Sequence, residues 1–313
     1  SFDRHGNLIF ATTRPAHQNF AIARQSKDSW TDQKFRVELL KEQQQANFYT
    51  AKFGGLSQYH LKQTTDIPGP NRSSFGAIYH RGKIYVSGGH KGSEHTYPPE
   101  SFSNLVYAYD VETKKWEKLP RRPSKAHGYQ LAAYKNYLYA FGGFAYEENN
   151  SPQWKSLDVI ERYNIEKRKW ETVGHMPRRR SSNVVSRVGD KVYLIGGWDS
   201  TPKFDNDYEG TFHREIDVFN LKTEEVSTSS FKLPKKRRAF NAVVHQNQIY
   251  LVGGISEGAQ QFNLLKDVTV FNPQTGEFTE MSPLPFGTFA PATGILDGKL
   301  FVFGGMLQTG EMS

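Results

Sequence analysis

One phrase, an alternating apolar run ending in two glycines, occurs five times along this chain and restricts it to a repeat architecture. It first reads Lys83-Ile84-Tyr85-Val86-Ser87-Gly88-Gly89, then recurs over 137–143, 191–197, 248–254 and 299–305. The second glycines, Gly89, Gly143, Gly197, Gly254 and Gly305, stand 54, 54, 57 and 51 residues apart. A period of that size marks one supersecondary unit copied along the chain, each copy needing its neighbours to bury its faces.

A second phrase follows each glycine pair after a loop: Val106-Tyr107-Ala108-Tyr109-Asp110, and its counterparts over 160–164, 216–220 and 268–272. Each is a period-two strand that closes on an aromatic and then on Asp or Asn, residues that start turns. Six residues beyond stand Trp116, Trp170, Val226 and Phe278, so the turn has a constant length; Val226 is the weak copy. With a strand such as 75–79 ahead of the glycine pair, each repeat holds four antiparallel strands.

The diglycine, aromatic-Asp/Asn and Trp positions together resemble the kelch family over about residues 72–305. The resemblance implies an all-β propeller whose blades are four-stranded sheets set around a channel. Full repeats are expected at about 72–120, 125–175, 180–233 and 238–284, with a divergent repeat at 35–70. The half repeat 289–313 lacks its outer strands, and the N-terminal strands are expected to complete it, as in relatives that close their ring with both ends. The N-terminal segment carries a degraded copy with Phe20-Ala21-Ile22-Ala23 and then Trp30. The count is six blades in a single domain, with seven as the alternative because residues 6–11 bring a further apolar run.

Composition narrows the chemistry. With no cysteine in 313 residues, disulfides, thiolate metal sites and cysteine nucleophiles are excluded. A copper oxidase of the galactose oxidase type resembles this fold but needs a Cys–Tyr crosslink, which this chain cannot make. The same absence fits an extracytoplasmic setting, bacterial envelope or secreted. No apolar run reaches membrane-spanning length, and no signal peptide is visible, which leaves room for one removed before Ser1. A formal charge of +8 favours anionic partners without naming one. The basic loops lack interleaved aromatics, which ranks nucleic acid last.

Antiparallel order puts the loop after each glycine pair and the loop before each first strand at one mouth of the channel. Counting 17 back from the second glycine finds Arg72, Arg180, Arg237 and Thr288, with Lys125 at 18. Guanidinium groups gathered there suit a carboxylate or phosphate. The same arginines admit a structural reading, in which they solvate the rim or brace neighbouring blades. Directly after the glycine pairs come His90, Phe144 and Trp198, then Ile255 and Met306, which supply a platform for a ring or a side chain, or pack beneath the loops.

The loop 198–215 carries Asp199, Asp205, Asp207, Tyr208 and Glu209 but lacks the Gly and closing Glu of a calcium loop, so it reads as solvated. His80, His90 and His95 have no ligand spacing, so no metal is expected. No cofactor is implied either. No acid–base pair recurs between repeats, so the chain reads as a monomeric, non-catalytic binding propeller. Its partner would be a protein, recognised at the channel mouth, with an acidic peptide or an anionic glycan as the specific ligand. The alternative is a carbohydrate-active enzyme on an acidic sugar, of the sialic acid mutarotase or sialidase kind. There the arginines would hold a carboxylate while Tyr208 and Glu209 supply the chemistry.

Overall fold

The computed structural model describes residues 65–306, apart from 94, 259–262, 297 and 304, and the strands Ala21–Ser26, Ser29–Lys34, Glu38–Leu39 and Tyr49–Thr50 nearer the start. Five four-stranded antiparallel sheets lie within them. The first sheet is Gly76–His80, Lys83–Ser87, Val106–Asp110 and Lys115–Leu119; the second is Leu131–Tyr134, Tyr137–Tyr146, Trp154–Asn164 and Lys169–His175. The third is Val184–Val188, Lys191–Ile195, Glu215–Asn220 and Val226–Lys232, and the fourth Asn241–His245, Gln248–Val252, Val268–Phe271 and Phe278–Glu280.

Both ends of the chain build the fifth sheet. Its inner strands are Ala292–Leu296 and Lys299–Phe303, and its outer ones are Ala21–Ser26 and Ser29–Lys34, with Arg24 opposite Phe301. Of the divergent repeat at 35–70, the hairpin Glu38–Leu39 with Tyr49–Thr50 lies within the described residues. Residues 6–11 lie outside them.

The turns follow from the side chains placed at strand ends. Asp110, Asn164, Asn220 and Asn272 each accept a backbone N–H from two or three residues ahead, so the turn after the third strand is the same in four repeats. That repetition delivers the next aromatic opposite its partner: Tyr109 with Trp116 at 5.1 Å, Tyr163 with Trp170 at 5.2 Å, Phe271 with Phe278 at 4.6 Å. Val226 faces Phe219 without a ring, the weak copy made visible.

The sheets pack face to face around an axis. The first strands of sheets one to five touch in order, each against the next. Between each neighbouring pair lies an apolar layer, such as Phe141, Ile160, Val192, Leu194 and Phe219 between the second and third sheets. Strand alternation forces this sandwiching, because both faces of every sheet carry buried side chains.

Candidate functional site

The glycine pairs tie each sheet to the next. Gly89, Gly143, Gly197 and Gly254 donate to the carbonyls of Ala126, Arg180, Arg237 and Thr288, at 2.8–3.0 Å. The position counted 17 back is therefore a backbone hub between blades. Its side chain turns into the sheet that follows.

Arg180 is fully buried and donates through one terminal nitrogen to the Gly196 carbonyl. Through the other it reaches Glu215 O at 2.8 Å and Asp217 Oδ2 at 2.9 Å. Asp217 also receives Arg178 and, at 2.8 Å, the Thr228 hydroxyl. Burial opposes the charge on Asp217, but Arg180 and Arg178 hold its carboxyl below the usual range. Arg237 is equally enclosed and reaches Thr269 Oγ1 at 3.1 Å. Arg72, also buried, lies 5.3 Å from the centre of the Tyr107 ring. In the second repeat Ala126 holds the hub, and Arg122, four residues upstream, supplies the guanidinium that pairs with Glu161 and meets Gly142 O at 2.9 Å.

Tyr107, Glu161, Asp217 and Thr269 occupy one position of the third-strand phrase, so each of the four full repeats matches a buried arginine to its own third strand. Arg72, Arg180 and Arg237 therefore sit inside three different sheets and are not gathered at the mouth. The physical reason is the hub itself: its carbonyl is claimed by the preceding blade, which aims the side chain into the following one. Lys125, by contrast, is exposed on the loop.

The residues after the glycine pairs do come together. The chain just ahead of each first strand bridges to them: Ser73 to His90, His127 to Phe144, Ser181 to Trp198, Arg238 to Ile255. Over that frame the rings form a continuous sheet of contacts. His90 meets His127 and Tyr97, each at 5.2 Å; Phe144 meets His127 at 4.9 Å and Tyr97 at 5.0 Å, and lies nearly parallel to Trp198 at 6.0 Å. Trp154 joins Phe144 to Tyr208, at 5.5 and 5.6 Å. Arg238 completes the layer, its guanidinium 4.6 Å from the Trp198 ring, and burial pushes its pKa down to about 10. Tyr97, His127, Trp154 and Arg238 escaped the sequence reading, although His127 and Arg238 lie just one residue past the hub.

The layer ends at Tyr208, at 62% of full exposure, and the same loop carries Phe204, at 69%. Their loop is built rigidly. Asp207, buried beneath it, accepts the backbone N–H of Lys203 and of Glu209, both at 3.0 Å, and these bonds hold its carboxyl below the usual range. The indole of Trp198 donates to Glu209 O at 2.7 Å and that of Trp154 to Ser200 O at 3.0 Å. Asp207 thus shapes the loop from within. Among the described residues no group of three or more His, Cys, Asp or Glu is placed to hold a metal ion.

A family model described as the KLHDC2/KLHL20/DRC7 Kelch-repeats domain matches residues 40–197 and 97–305. The chain belongs to the kelch-repeat family. Kelch-like protein 35 of Mus musculus is 25% identical over 78% of this chain, and Kelch repeat and BTB domain-containing protein 12 of Homo sapiens 27% over 74%. Alpha-scruin of Limulus polyphemus is 25% identical over 80%. The chain matches 37%, 38% and 27% of the lengths of these three relatives. The solved structure of YjhT superposes with a TM-score of 0.60 at 18% identity, over 75% of this chain and 72% of that one, a likeness of fold.

The kelch frame also fixes the state of His127. Its Nε2 is buried without a hydrogen-bond partner, and burial, with the charge of His90 adding to it, pushes the pKa from 6.5 down to about 3. The unfolded chain therefore takes up this proton first. The neutral ring's contribution is whole above about pH 6.5 and is lost as pH falls toward about 3, by up to ~1.4 kcal/mol per pH unit. In NMR the His127 ring resonances are expected to stay at their neutral positions down to pH 5. A titration midpoint above that would contradict the enclosure.

Proposed function

We propose that this chain is a non-catalytic binding propeller, a single ring of six blades that takes a protein partner on its aromatic loop face. The observation that carries this is the hydrogen-bonded loop 200–210, which holds Phe204 and Tyr208 in solvent, Tyr208 against the end of the aromatic layer. Exposed aromatic anchors, held in place before binding, are what concentrate affinity in protein interfaces. An exposed pair of rings suits a hollow on a partner. Tyr208 and Glu209 are both exposed on that loop. An acidic peptide or glycan would have to rely on exposed cations such as Lys125 and Lys203, since the hub arginines are enclosed.

The test is photocrosslinking from a benzoylphenylalanine placed at position 204, with Phe204→Ala and Tyr208→Ala compared in quantitative affinity capture. The double variant is expected to lose its captured partners by roughly tenfold or more. Its stability should change by less than about 0.5 kcal/mol, because both rings are already in water. Capture unchanged in the folded double variant would refute the assignment of these anchors.

A further inference from the structure

The loop that holds Phe204 and Tyr208 does not stand alone. In the second sheet the strands Tyr137–Tyr146 and Trp154–Asn164 run to 10 and 11 residues, where the matching strands of the first, third and fourth sheets have four to six. That extra length brings the hairpin tip 147–153 against the loop 200–210 of the third sheet. The Asn206 N–H donates to Ser151 O at 2.8 Å, and the Ser200 N–H donates to the buried hydroxyl of Ser156 at 2.9 Å. With the bond from the Trp154 indole to Ser200 O, segments from two blades make one lobe.

This lobe is charged against the rest of the molecule. Over residues 147–155 and 199–209, six acids stand against two cations, Lys155 and Lys203. Its formal charge is therefore −4 in a chain of +8, which leaves +12 on everything else. Both cations are drawn inward: Lys155 pairs with Glu147 at 2.5 Å, and Lys203 turns back to Gly210 O at 3.4 Å.

Two of the acids serve their own backbone, Asp207 as described and Asp199 by accepting the Thr201 N–H at 2.9 Å. Glu148, Asp205 and Glu209 are exposed, and no described residue pairs with their carboxylates or hydrogen-bonds to them. Asp205 directly follows Phe204, and Glu209 directly follows Tyr208. Apolar anchors flanked by charge have the make-up of an interface core with its rim, and the sign of the rim decides which partners can approach. The faces of the two rings act in the same sense, since an aromatic face is negative and attracts Lys and Arg.

We propose that this lobe docks a basic surface of a protein partner, whose apolar part meets Phe204 and Tyr208 while its Lys or Arg side chains meet Glu148, Asp205 and Glu209. The inference rests on the reading of Phe204 and Tyr208 as anchors and adds the charge of what they meet. The lobe thereby selects a partner opposite in sign to the one that the chain's overall charge favours.

The test selects a phage-displayed library of random short peptides on the immobilised chain at low salt. Only peptides that fail to bind a folded Phe204→Ala, Tyr208→Ala double variant are kept. These are expected to carry net positive charge and a large apolar residue, although overall charge alone would enrich acidic ones. Their affinity should fall roughly tenfold in the triple variant Glu148→Gln, Asp205→Asn, Glu209→Gln, and severalfold in the unaltered chain as salt rises. All three replaced side chains are exposed, so the triple variant should melt with the unaltered chain. Anchor-dependent peptides that are neutral or acidic, or that bind the triple variant unchanged, would overturn the basic partner and leave the anchors standing. Should no peptide depend on Phe204 and Tyr208, the anchors fail and this inference fails with them.

Discussion

Asp217→Ala is expected to destabilise the fold by about 3–5 kcal/mol, because it strands Arg180, a fully buried cation, without its counter-ion. For a ring of this size that corresponds to a fall in melting temperature of roughly 10 °C. The carbonyls of Gly196 and Glu215 still accept from Arg180, so the guanidinium stays solvated by dipoles but not neutralised. Asp217→Asn, which keeps the shape and one acceptor, should fall between. Replacing both partners, Arg180→Met with Asp217→Leu, should recover much of the loss, since an apolar pair of similar volume avoids the desolvation cost. The carboxyl of Asp217 is held below its ordinary pKa, so its contribution is present above about pH 4 and disappears as pH falls through the lower folded value. Removing it should therefore flatten the acid side of the stability profile. A change of less than about 3 °C for Asp217→Ala would mean that the brace carries little energy.

Gly142→Ala should cost a comparable amount for a different reason. Gly142 has φ of +62°, and an added Cβ would run into the Arg180 carbonyl and come within 2.8 Å of the Leu157 carbonyl oxygen. The left-handed backbone costs an alanine about 1–2 kcal/mol, and displacing main chain on both sides adds about 1–3 kcal/mol. Gly82 gives the contrast within the same protein. Its φ is +79°, yet nothing lies within 4 Å of the added carbon, so Gly82→Ala should show the backbone cost alone. Denaturant titration of the two variants separates strain from crowding. Equal losses would show that the blade-to-blade carbonyls yield more readily than their packing suggests.

The strands, their order and the shared fifth sheet were legible because each depends on local periodicity repeated in phase. Asn164 and Asn220 announce a turn wherever they stand, and Trp170 must then face Tyr163. The arginines were located but not oriented. Their spacing shows that Arg72, Arg180 and Arg237 are equivalent, whereas direction depends on which neighbour claims the backbone carbonyl, a contact made between repeats. A signal was present nonetheless: Glu161 and Asp217 follow the isoleucine of the third-strand phrase at the same position, where both are buried, and a buried acid there calls for a cation. His90, Phe144 and Trp198 were correctly placed on one face by antiparallel geometry. Tyr97 and Tyr208 lie in loops of unequal length, and Trp154 in an extension of one third strand that the other repeats lack, so no register exists to compare copies and their convergence became visible only in three dimensions.

Because Arg24 pairs with Phe301, the hairpin at 21–34 is made before the four sheets that follow it and waits until Lys299–Phe303 is translated for the strand that covers its open edge. Until that strand arrives, each intermediate sheet stack ends in an uncovered margin able to recruit another nascent chain. The fifth sheet is thus completed only after the four before it, and any lesion in the strand around Val302 would be felt at the hairpin 21–34 as well as at Ala292–Leu296.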